Sequence, residues 1–290
     1  MMMYALFDIG GTKTRVAASR DLTSFDEPMK FDTPRHYEDG VTAIAEVIKK
    51  LRGDEKITRV AGGIRGPLLP DHSGIVDDDI LVEWRQKSFV NDLEKHIDAP
   101  VLLENDAALA GLGEAHFGAG KGFSIVAYHT VSTGMGGVRI VDGNIDRNKS
   151  GFEPGHQTID MDKSVCPTCA STDLEDYISG TAMEKRFGKK PYEIPQSDPV
   201  WDELAHWLAH GLKNTIVYWS PDVLVLGGSM IVGDPRILLS DITRHTEVLL
   251  GGLVSCPPVK GALLADVGGL YGAMALLLQR HKQELHQKVG

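Results

Sequence analysis

The sequence has few cysteines, no excess of basic residues and no long apolar run. Its three cysteines among 290 residues do not make a disulfide framework, so we expect a reducing, cytoplasmic environment. The net charge of −10 and the lack of Lys and Arg clusters argue against nucleic acid as a partner. No apolar run approaches the roughly 20 residues that cross a bilayer, and the first residues lack the basic segment of a signal peptide. A membrane partner is therefore not expected.

Three familiar active-site motifs are also missing. The sequence has no G-x-x-x-x-G-K-[ST], and the stretches GLGEAH and GAGKGF both fail at the last position of G-x-G-x-x-G. These absences exclude a P-loop and a dinucleotide-binding fingerprint. There is no G-x-S-x-G either, which excludes the nucleophile elbow of an esterase.

Two glycine-rich segments are instead similar to each other. Residues 6–18 read LFDIGGTKTRVAA and residues 126–143 read VAYHTVSTGMGGVRIVDG. Each runs from an apolar strand through a small-residue turn into another apolar strand, and each is followed by a helix and a strand that ends in Gly-Gly. Strands that alternate with helices predict an α/β fold. The repeat predicts two related domains, the second with an irregular inserted segment at 144–173.

Each hairpin is suited to holding phosphate. Glycine at the turn lets backbone N–H groups approach an anion with no Cβ atom in the way. Asp8 ends the first strand and is placed to bind Mg²⁺ directly or through water, and Thr12, Lys13 and Thr133 add donors. A single hairpin of this kind is more often only a tight turn. Two copies in matching positions favour one nucleotide held from both sides of a cleft.

Five stretches in this order resemble the ROK family of repressors, open reading frames and sugar kinases: DIGGTKTRVA, LLENDAALAGLGEAHFGAG, VSTGMGGVRIVDG, EPGH and SPDVLVLGGSMI. The resemblance implies duplicated actin-like ATPase (ribonuclease H-like) domains with a cleft between them. We expect an N-terminal α/β domain at 1–105, joined by the C-terminal helix at about 272–290. A C-terminal α/β domain at 106–271 then carries the insertion at 144–173.

The resemblance also implies an activity and an assembly. The family's repressors carry an N-terminal helix-turn-helix domain, and this sequence begins at the first hairpin strand, which favours the kinase branch. The resemblance implies ATP and Mg²⁺ as cofactors, and a homodimer by family analogy. It assigns the nucleotide to residues of both hairpins and of the later Gly-Gly strand end: Asp8, Gly10, Gly11, Thr12, Lys13, Thr133, Gly134, Gly136, Gly227 and Gly228.

The acceptor site follows from the same resemblance. Asp106 is implied as the catalytic base that takes the proton of the sugar hydroxyl. Without the family, helix N-capping is the favoured role, and Asn105 or Asp106 would serve as the cap equally well. The sugar-binding positions implied are Gly66, Asn105, Asp106, Glu153, His156 and Glu175. The loop around Gly66 departs from the family pattern because Arg65 stands where Pro is usual.

A zinc site is a further feature that the resemblance implies. Members of the family often bind zinc through the His of E-x-G-H and the cysteines of C-x-C-G-x-x-G-C. Here the segment reads CPTCASTDLE, so His156, Cys166 and Cys169 are the zinc ligands that remain, with Asp173 where a third Cys belongs. Two free thiols in a turn are the alternative interpretation.

We therefore expect an ATP- and Mg²⁺-dependent sugar kinase of the hexokinase type, with glucose as the first candidate. Kinases of fructose, N-acetylglucosamine or N-acetylmannosamine are the alternatives within this class. A sugar-binding sensor without transfer activity is the alternative outside it, because Arg65 and the altered cysteine segment depart from the family pattern.

Overall fold

The computed structural model describes residues 2–164, 167 and 171–289, with side chains as far as residue 282. The chain divides into two units. The first comprises Met1–His116, Arg147–Gly151 and Asp266–Gly290, and the second comprises Phe117–Asp146 and Phe152–Ala265. The domain boundaries expected from the sequence stay a prediction. In the described part of the chain, no helix combines the length and the apolar composition needed to cross a membrane.

In chain order, the described residues form the following helices and strands: β1 Met2–Ile9, β2 Lys13–Ser19, β3 Met29–Asp32, α1 Tyr37–Arg52, β4 Lys56–Ile64, α2 Phe89–Ile97, β5 Val101–Asn105, α3 Asp106–Phe117, β6 Ile125–Val131, β7 Met135–Val141, β8 Asn144–Ile145, α4 Glu175–Ile178, α5 Gly180–Phe187, α6 Val200–Trp219, β9 Val223–Gly227, α7 Ser229–Val232, α8 Leu239–Leu250, β10 Val259–Gly261 and α9 Gly268–Val289.

The described strands of the two units form sheets of the same topology. The first sheet has the order β3-β2-β1-β4-β5, and the second, read from β8, has the order β8-β7-β6-β9-β10. In both, the hairpin strands and the edge strand beside them pair antiparallel, whereas the two later strands pair parallel. The predicted duplication of an actin-like α/β domain is therefore confirmed.

The sheet of the first unit is buried because apolar helices cover it. Ala5, Leu6 and Phe7 of β1 are fully buried in succession, as expected of a strand that has packing on both faces. Helix α1 buries an apolar stripe, and its acidic first turn and basic last turn complement the helix dipole. Phe89 at the start of α2 packs edge-on against Phe7, with ring centroids 5.6 Å apart.

The core of the second unit is built around α6 and the sheet and contains one unusual polar group. His129 of β6 is fully buried, stacks on Trp219 with ring centroids 5.4 Å apart, and shares a hydrogen bond of 3.1 Å with Thr215 Oγ1 through Nε2. Its Nδ1 has no hydrogen-bond partner among the described residues. Burial lowers the pKa of His129 to about 3, so the ring is neutral.

Candidate functional site

In the first unit, three parallel strands end side by side and bring the predicted residues of this unit together. The register pairs Asp8 of β1 with Gly63 of β4, and Gly63 with Glu104 of β5. Since the carboxyl ends of parallel strands meet at one edge of a sheet, the residues that follow them share that edge. The β1–β2 turn, the loop after β4 and the start of α3 therefore surround one site.

The β1–β2 turn is the first of the two predicted phosphate-binding hairpins. The N–H of Gly10 donates to the carbonyl of Lys13 over 3.0 Å, and Thr33 donates its N–H to the carbonyl of Thr12 over 2.9 Å. Gly11 lies at the tip, and Thr12 and Lys13 are exposed. The ammonium of Lys13 forms an ion pair with the carboxylate of Asp32.

Asp8 is a carboxylate whose surroundings disfavour its charge. Burial is the main cause that raises the pKa of Asp8 to about 7; the nearby Asp106 adds to it, and Arg15 partly opposes it. The Arg15 guanidinium is 3.9 Å away. A Cβ atom built on Gly269 would lie 2.9 Å from the Asp8 carboxyl carbon, so the start of α9 covers this group. A divalent cation bound here would stabilise the ionised form of the Asp8 carboxylate.

The start of α3 separates the two roles that the sequence left open for Asn105 and Asp106. Asn105 Oδ1 accepts the N–H of Ala108 over 3.1 Å, which is the side-chain cap of the helix N-terminus. Asp106 Oδ1 accepts the N–H of the adjacent Ala107 over 2.8 Å. Asn105 therefore caps α3, and Asp106 is available for chemistry.

The pKa of Asp106 is raised above its ordinary value. Burial is the main cause and the charge of Asp78 adds to it, while the N–H of Ala107 and the charge of Arg65 oppose it. A carboxylate whose pKa moves towards neutral pH is a stronger proton acceptor at that pH. The structure thus gives Asp106 a property that a catalytic base needs.

The loop after β4 is tied to Asn105 and to an acidic segment. Asn105 Nδ2 donates to the carbonyl of Gly66 over 3.2 Å, and Gly66 has a φ of 94°, which favours glycine. Arg65 Nε donates to Asp78 Oδ2 over 2.6 Å. Sequence reasoning noted Arg65 only as a departure and missed Asp78. The signal for Asp78 was the run of three acidic residues at 77–79, close to a lone arginine among glycines.

In the second unit, the β6–β7 turn is held by Glu175. Glu175 Oε2 accepts the N–H of Met135 over 2.6 Å, and a Cβ atom on Gly134 would lie 2.6 Å from the same oxygen. Thr133 is exposed at the tip, whereas Gly136 lies within β7 and pairs with Thr130 of β6. Glu175, predicted to bind sugar, is thus in contact with the hairpin predicted to bind phosphate.

Two further predicted sugar ligands lie on the 3₁₀ turn Pro154–His156 and just before it. His156 Nδ1 donates to Asp173 Oδ2 over 3.1 Å. Burial opposes protonation of His156, but the hydrogen bond to Asp173 and the charges of Glu175 and Glu153 outweigh it, so the pKa of His156 is raised. The side chain is 59% exposed. Glu153 is also exposed.

The predicted zinc ligands fall only partly within the described residues. Cys166 and Cys169 lie outside them, and the described residues contain no group of three or more His, Cys, Asp or Glu side chains able to hold a metal. Asp173, which the sequence placed among the ligand candidates, instead accepts the Nδ1 hydrogen bond of His156. This arrangement fits a zinc-binding histidine, because a carboxylate behind the ring fixes it and leaves Nε2 for the metal. The zinc site stays a prediction.

Gly227 and Gly228 lie where β9 meets α7. Gly228 has a φ of 85°, and a Cβ atom there would lie 2.2 Å from the carbonyl oxygen of Val131. The β9 end therefore packs directly on the end of β6, next to the second hairpin. Ser229 Oγ is 3.0 Å from Ser132 Oγ, which links the two turns.

These features define a class of protein: a duplicated actin-like α/β fold with partly buried carboxylates beside a glycine turn. The chain belongs to the ROK family, since a protein-family model described as "ROK family" matches residues 4–280. Among curated relatives it is 28% identical to a glucokinase of Streptomyces coelicolor (93% of this chain, 95% of the relative). It is 26% identical to a fructokinase of Lactococcus lactis subsp. cremoris (88% and 87%) and 28% identical to an N-acetyl-D-glucosamine kinase of Histophilus somni (96% and 100%).

Solved structures show the same likeness. A ROK hexokinase from Thermus thermophilus matches with a TM-score of 0.82 and 26% identity, over 97% of this chain and 100% of that one. A ROK family glucokinase from Streptomyces griseus, in complex with glucose and AMPPNP, matches with a TM-score of 0.78 and 26% identity over 94% and 98%. These relatives and solved structures are named as sugar kinases.

Proposed function

We propose that this protein is an ATP-dependent hexose kinase, with glucose as the first candidate substrate. The observation that carries the proposal is Asp106, the first residue of α3. Asn105 caps the helix in its place, the pKa of Asp106 is raised, and it lies at the sheet edge that also carries the Gly10–Lys13 turn. The glucokinase, fructokinase and N-acetyl-D-glucosamine kinase among the relatives support the class and leave the hexose open.

In this mechanism Asp106 accepts the proton of the attacking sugar hydroxyl. The hydroxyl oxygen forms a bond to the γ-phosphorus of ATP, the bond from that phosphorus to the β–γ bridging oxygen breaks, and ADP leaves with the electron pair. Asn105, Glu153, His156 and Glu175 provide acceptors and donors for the other hydroxyls. Each position on the sugar that forms such a hydrogen bond is a point of discrimination, because a buried polar group left unpaired is costly.

Nucleotide binding is assigned to the two glycine hairpins and to the strand end at Gly227–Gly228. The N–H groups at the hairpin turns are the donors expected for phosphate oxygens. Asp8 fits Mg²⁺, because this ion is commonly held by one or two protein carboxylates together with phosphates and water. Burial raises the pKa of Asp8 although Arg15 lies nearby, so a bound cation would stabilise the ionised carboxylate. When bound, Mg²⁺ neutralises charge on the β- and γ-phosphates.

A panel of hexoses tested with ATP in a coupled ADP-release assay examines the proposal. The panel contains glucose, fructose, mannose, N-acetylglucosamine and N-acetylmannosamine. We expect hexose-dependent ADP release, with glucose giving the highest kcat/KM. If another hexose gives the highest kcat/KM, the protein is still a hexose kinase, but its preferred substrate is not glucose. Binding of a hexose in calorimetry without ADP release would instead identify a sugar-binding sensor. The expected homodimer and cytoplasmic location stay predictions.

A further inference from the structure

Arg65 is a charged side chain at the candidate active site to which the sequence assigned no role. It follows β4 directly, and its guanidinium is held on one side by the acidic segment 77–79. Nε donates to Asp78 Oδ2 over 2.6 Å, and Nη2 donates to Asp79 Oδ1 over 3.2 Å. The Arg65 side chain is 26% exposed and that of Asp78 only 3%. The pair is therefore partly removed from water, where charge interactions are stronger than on an open surface.

Asp78 is itself fixed in place. Its Oδ1 accepts the N–H groups of Ile80 and Leu81 over 2.8 and 2.6 Å, which leaves Oδ2 for Arg65. Because both oxygens have partners, the carboxylate cannot rotate without losing hydrogen bonds. The orientation of the Arg65 guanidinium is thus determined by a preorganised partner, as expected for a group that must be positioned accurately.

The remaining edge of the guanidinium points to the first hairpin. A Cβ atom on Gly11 would lie 2.5 Å from Arg65 Nη1, so this nitrogen rests against the tip of the turn. Nη1 makes no hydrogen bond with any of the described residues. The charge of Arg65 also acts on Asp106. A permanent cation with unused N–H donors therefore lies close to both the phosphate-binding turn and the base.

We propose that Arg65 is a further catalytic residue, whose Nη1 contacts the γ-phosphoryl group of ATP during its transfer, and that Asp78 is its positioning residue. This inference rests on the kinase function proposed above. Phosphoryl transfer is promoted mainly by positioning and by neutralising the equatorial oxygens, and arginine does both through its planar donors. Gly11 allows the approach, since a side chain there would collide with Nη1.

Arg65→Met tests the role by removing the charge and keeping the aliphatic stem. The matched control is Arg85→Met: Arg85 Nε donates to the carbonyl of Asp78 over 2.8 Å and pairs with Asp77 at 2.7 Å, on the same acidic segment. We expect Arg65→Met to lower kcat by at least about 10²-fold, the usual cost of one transition-state donor. Arg85→Met should stay within about threefold of wild type, as is usual for surface substitutions.

A merely structural role of Arg65 would change a different set of measurements. Either role leaves the buried Asp78 without its partner and lowers the Tm, so the Tm does not separate them. A structural role would weaken binding of the hexose and would leave the ratio of ATP-analogue to ADP affinity unchanged. If Arg65 is catalytic, the hexose Kd of Arg65→Met stays within about threefold of the wild-type value. Added guanidinium, or the variant Arg65→Lys, should then partly restore kcat. Asp78→Asn should retain the shape of the loop and lower kcat less than Arg65→Met does.

Nucleotide binding gives a readout that does not depend on turnover. ADP and a non-hydrolysable ATP analogue are compared by calorimetry on wild type and Arg65→Met. Loss of the γ-phosphoryl contact should weaken the analogue by about tenfold or more and leave ADP unchanged, since hydrogen bonds to charged groups are worth that much.

Each outcome bears on one of the two proposals. Unchanged kcat and an unchanged ratio of the two affinities in Arg65→Met would overturn the role of Arg65, while the wild-type activity would still support the kinase. A wild type without turnover on any hexose would overturn the kinase, and the affinity ratio would then still decide whether Arg65 contacts the terminal phosphoryl group.

Discussion

Asp106→Asn separates the catalytic role of this residue from any structural one. Asn has nearly the same shape, and its side-chain oxygen can still accept the N–H of Ala107, which donates to Asp106 over 2.8 Å. What the substitution removes is the ability to take a proton. General-base catalysis typically contributes 10²- to 10⁴-fold, so we expect kcat to fall by at least about 10²-fold, equivalent to about 2.7 kcal/mol in the barrier.

The free energy of unfolding of Asp106→Asn should stay the same or rise slightly, although its kcat falls. Burial raises the pKa of Asp106, which means that the folded protein disfavours its ionised form. The stabilising contribution of this group is full below its ordinary pKa and is lost as the pH rises through the raised value. Asn carries no charge to penalise. At neutral pH the variant should therefore be as stable as wild type or slightly more stable.

Asn105→Ala is the matched comparison. Its side chain caps α3 through Ala108, so its removal should cost about 1 kcal/mol in the free energy of unfolding. Steady-state kinetics and urea unfolding at several pH values would measure both variants. Near-wild-type turnover of Asp106→Asn, or a marked loss of stability at neutral pH, would refute the reasoning, because either result would make Asp106 a structural residue rather than the base.

Two further predictions concern the second unit. If His156, Cys166 and Cys169 bind zinc, elemental analysis should find about one equivalent per chain, and Cys166→Ser should lose the metal together with thermal stability; a fully active metal-free preparation would rule zinc out. His129 stays neutral in the folded protein but gains a proton on unfolding below its ordinary pKa of about 6.5, so stability should fall by about 2 kcal/mol between pH 7 and 5. His129→Phe should flatten that pH dependence in urea unfolding, and equal slopes for the two proteins would contradict the assignment.

The parts of the fold that could be predicted are those with strong local patterns. The two hairpins combine apolar strands with glycine turns, and α1 and α6 have apolar residues at helical spacing, so their presence follows from local sequence. Strand β3 at Met29–Asp32 and strand β10 at Val259–Gly261 were not predicted. Both are short and lie at sheet edges, where pairing with a neighbour, rather than the strand's own residues, determines the structure. Helix α8 was not predicted either, and its buried stripe of Ile242, Thr246 and Leu250 contains a polar residue.

The residues of the candidate site could also be predicted only in part. Asp106 and the glycine turns could be located because each belongs to a contiguous motif. The choice between Asn105 and Asp106 as the cap could not be made, since either side chain can accept such a bond and only the geometry of the first turn decides. The pairing of Arg65 with Asp78 joins residues on either side of a loop, and that loop has no periodic pattern from which its path could be inferred.

The return of α9 to the first unit also has a consequence for the order in which the protein is made. Arg15 is paired over 2.6 Å with Asp266, which lies 251 positions further along the chain, and the Gly269 backbone covers Asp8. Translation at about 5–20 residues per second separates these segments by roughly 13 to 50 s. Contacts of such long range form slowly. The Arg15–Asp266 contact and the backbone cover at Gly269 can therefore join the first unit only after residues 266–269 have been synthesised.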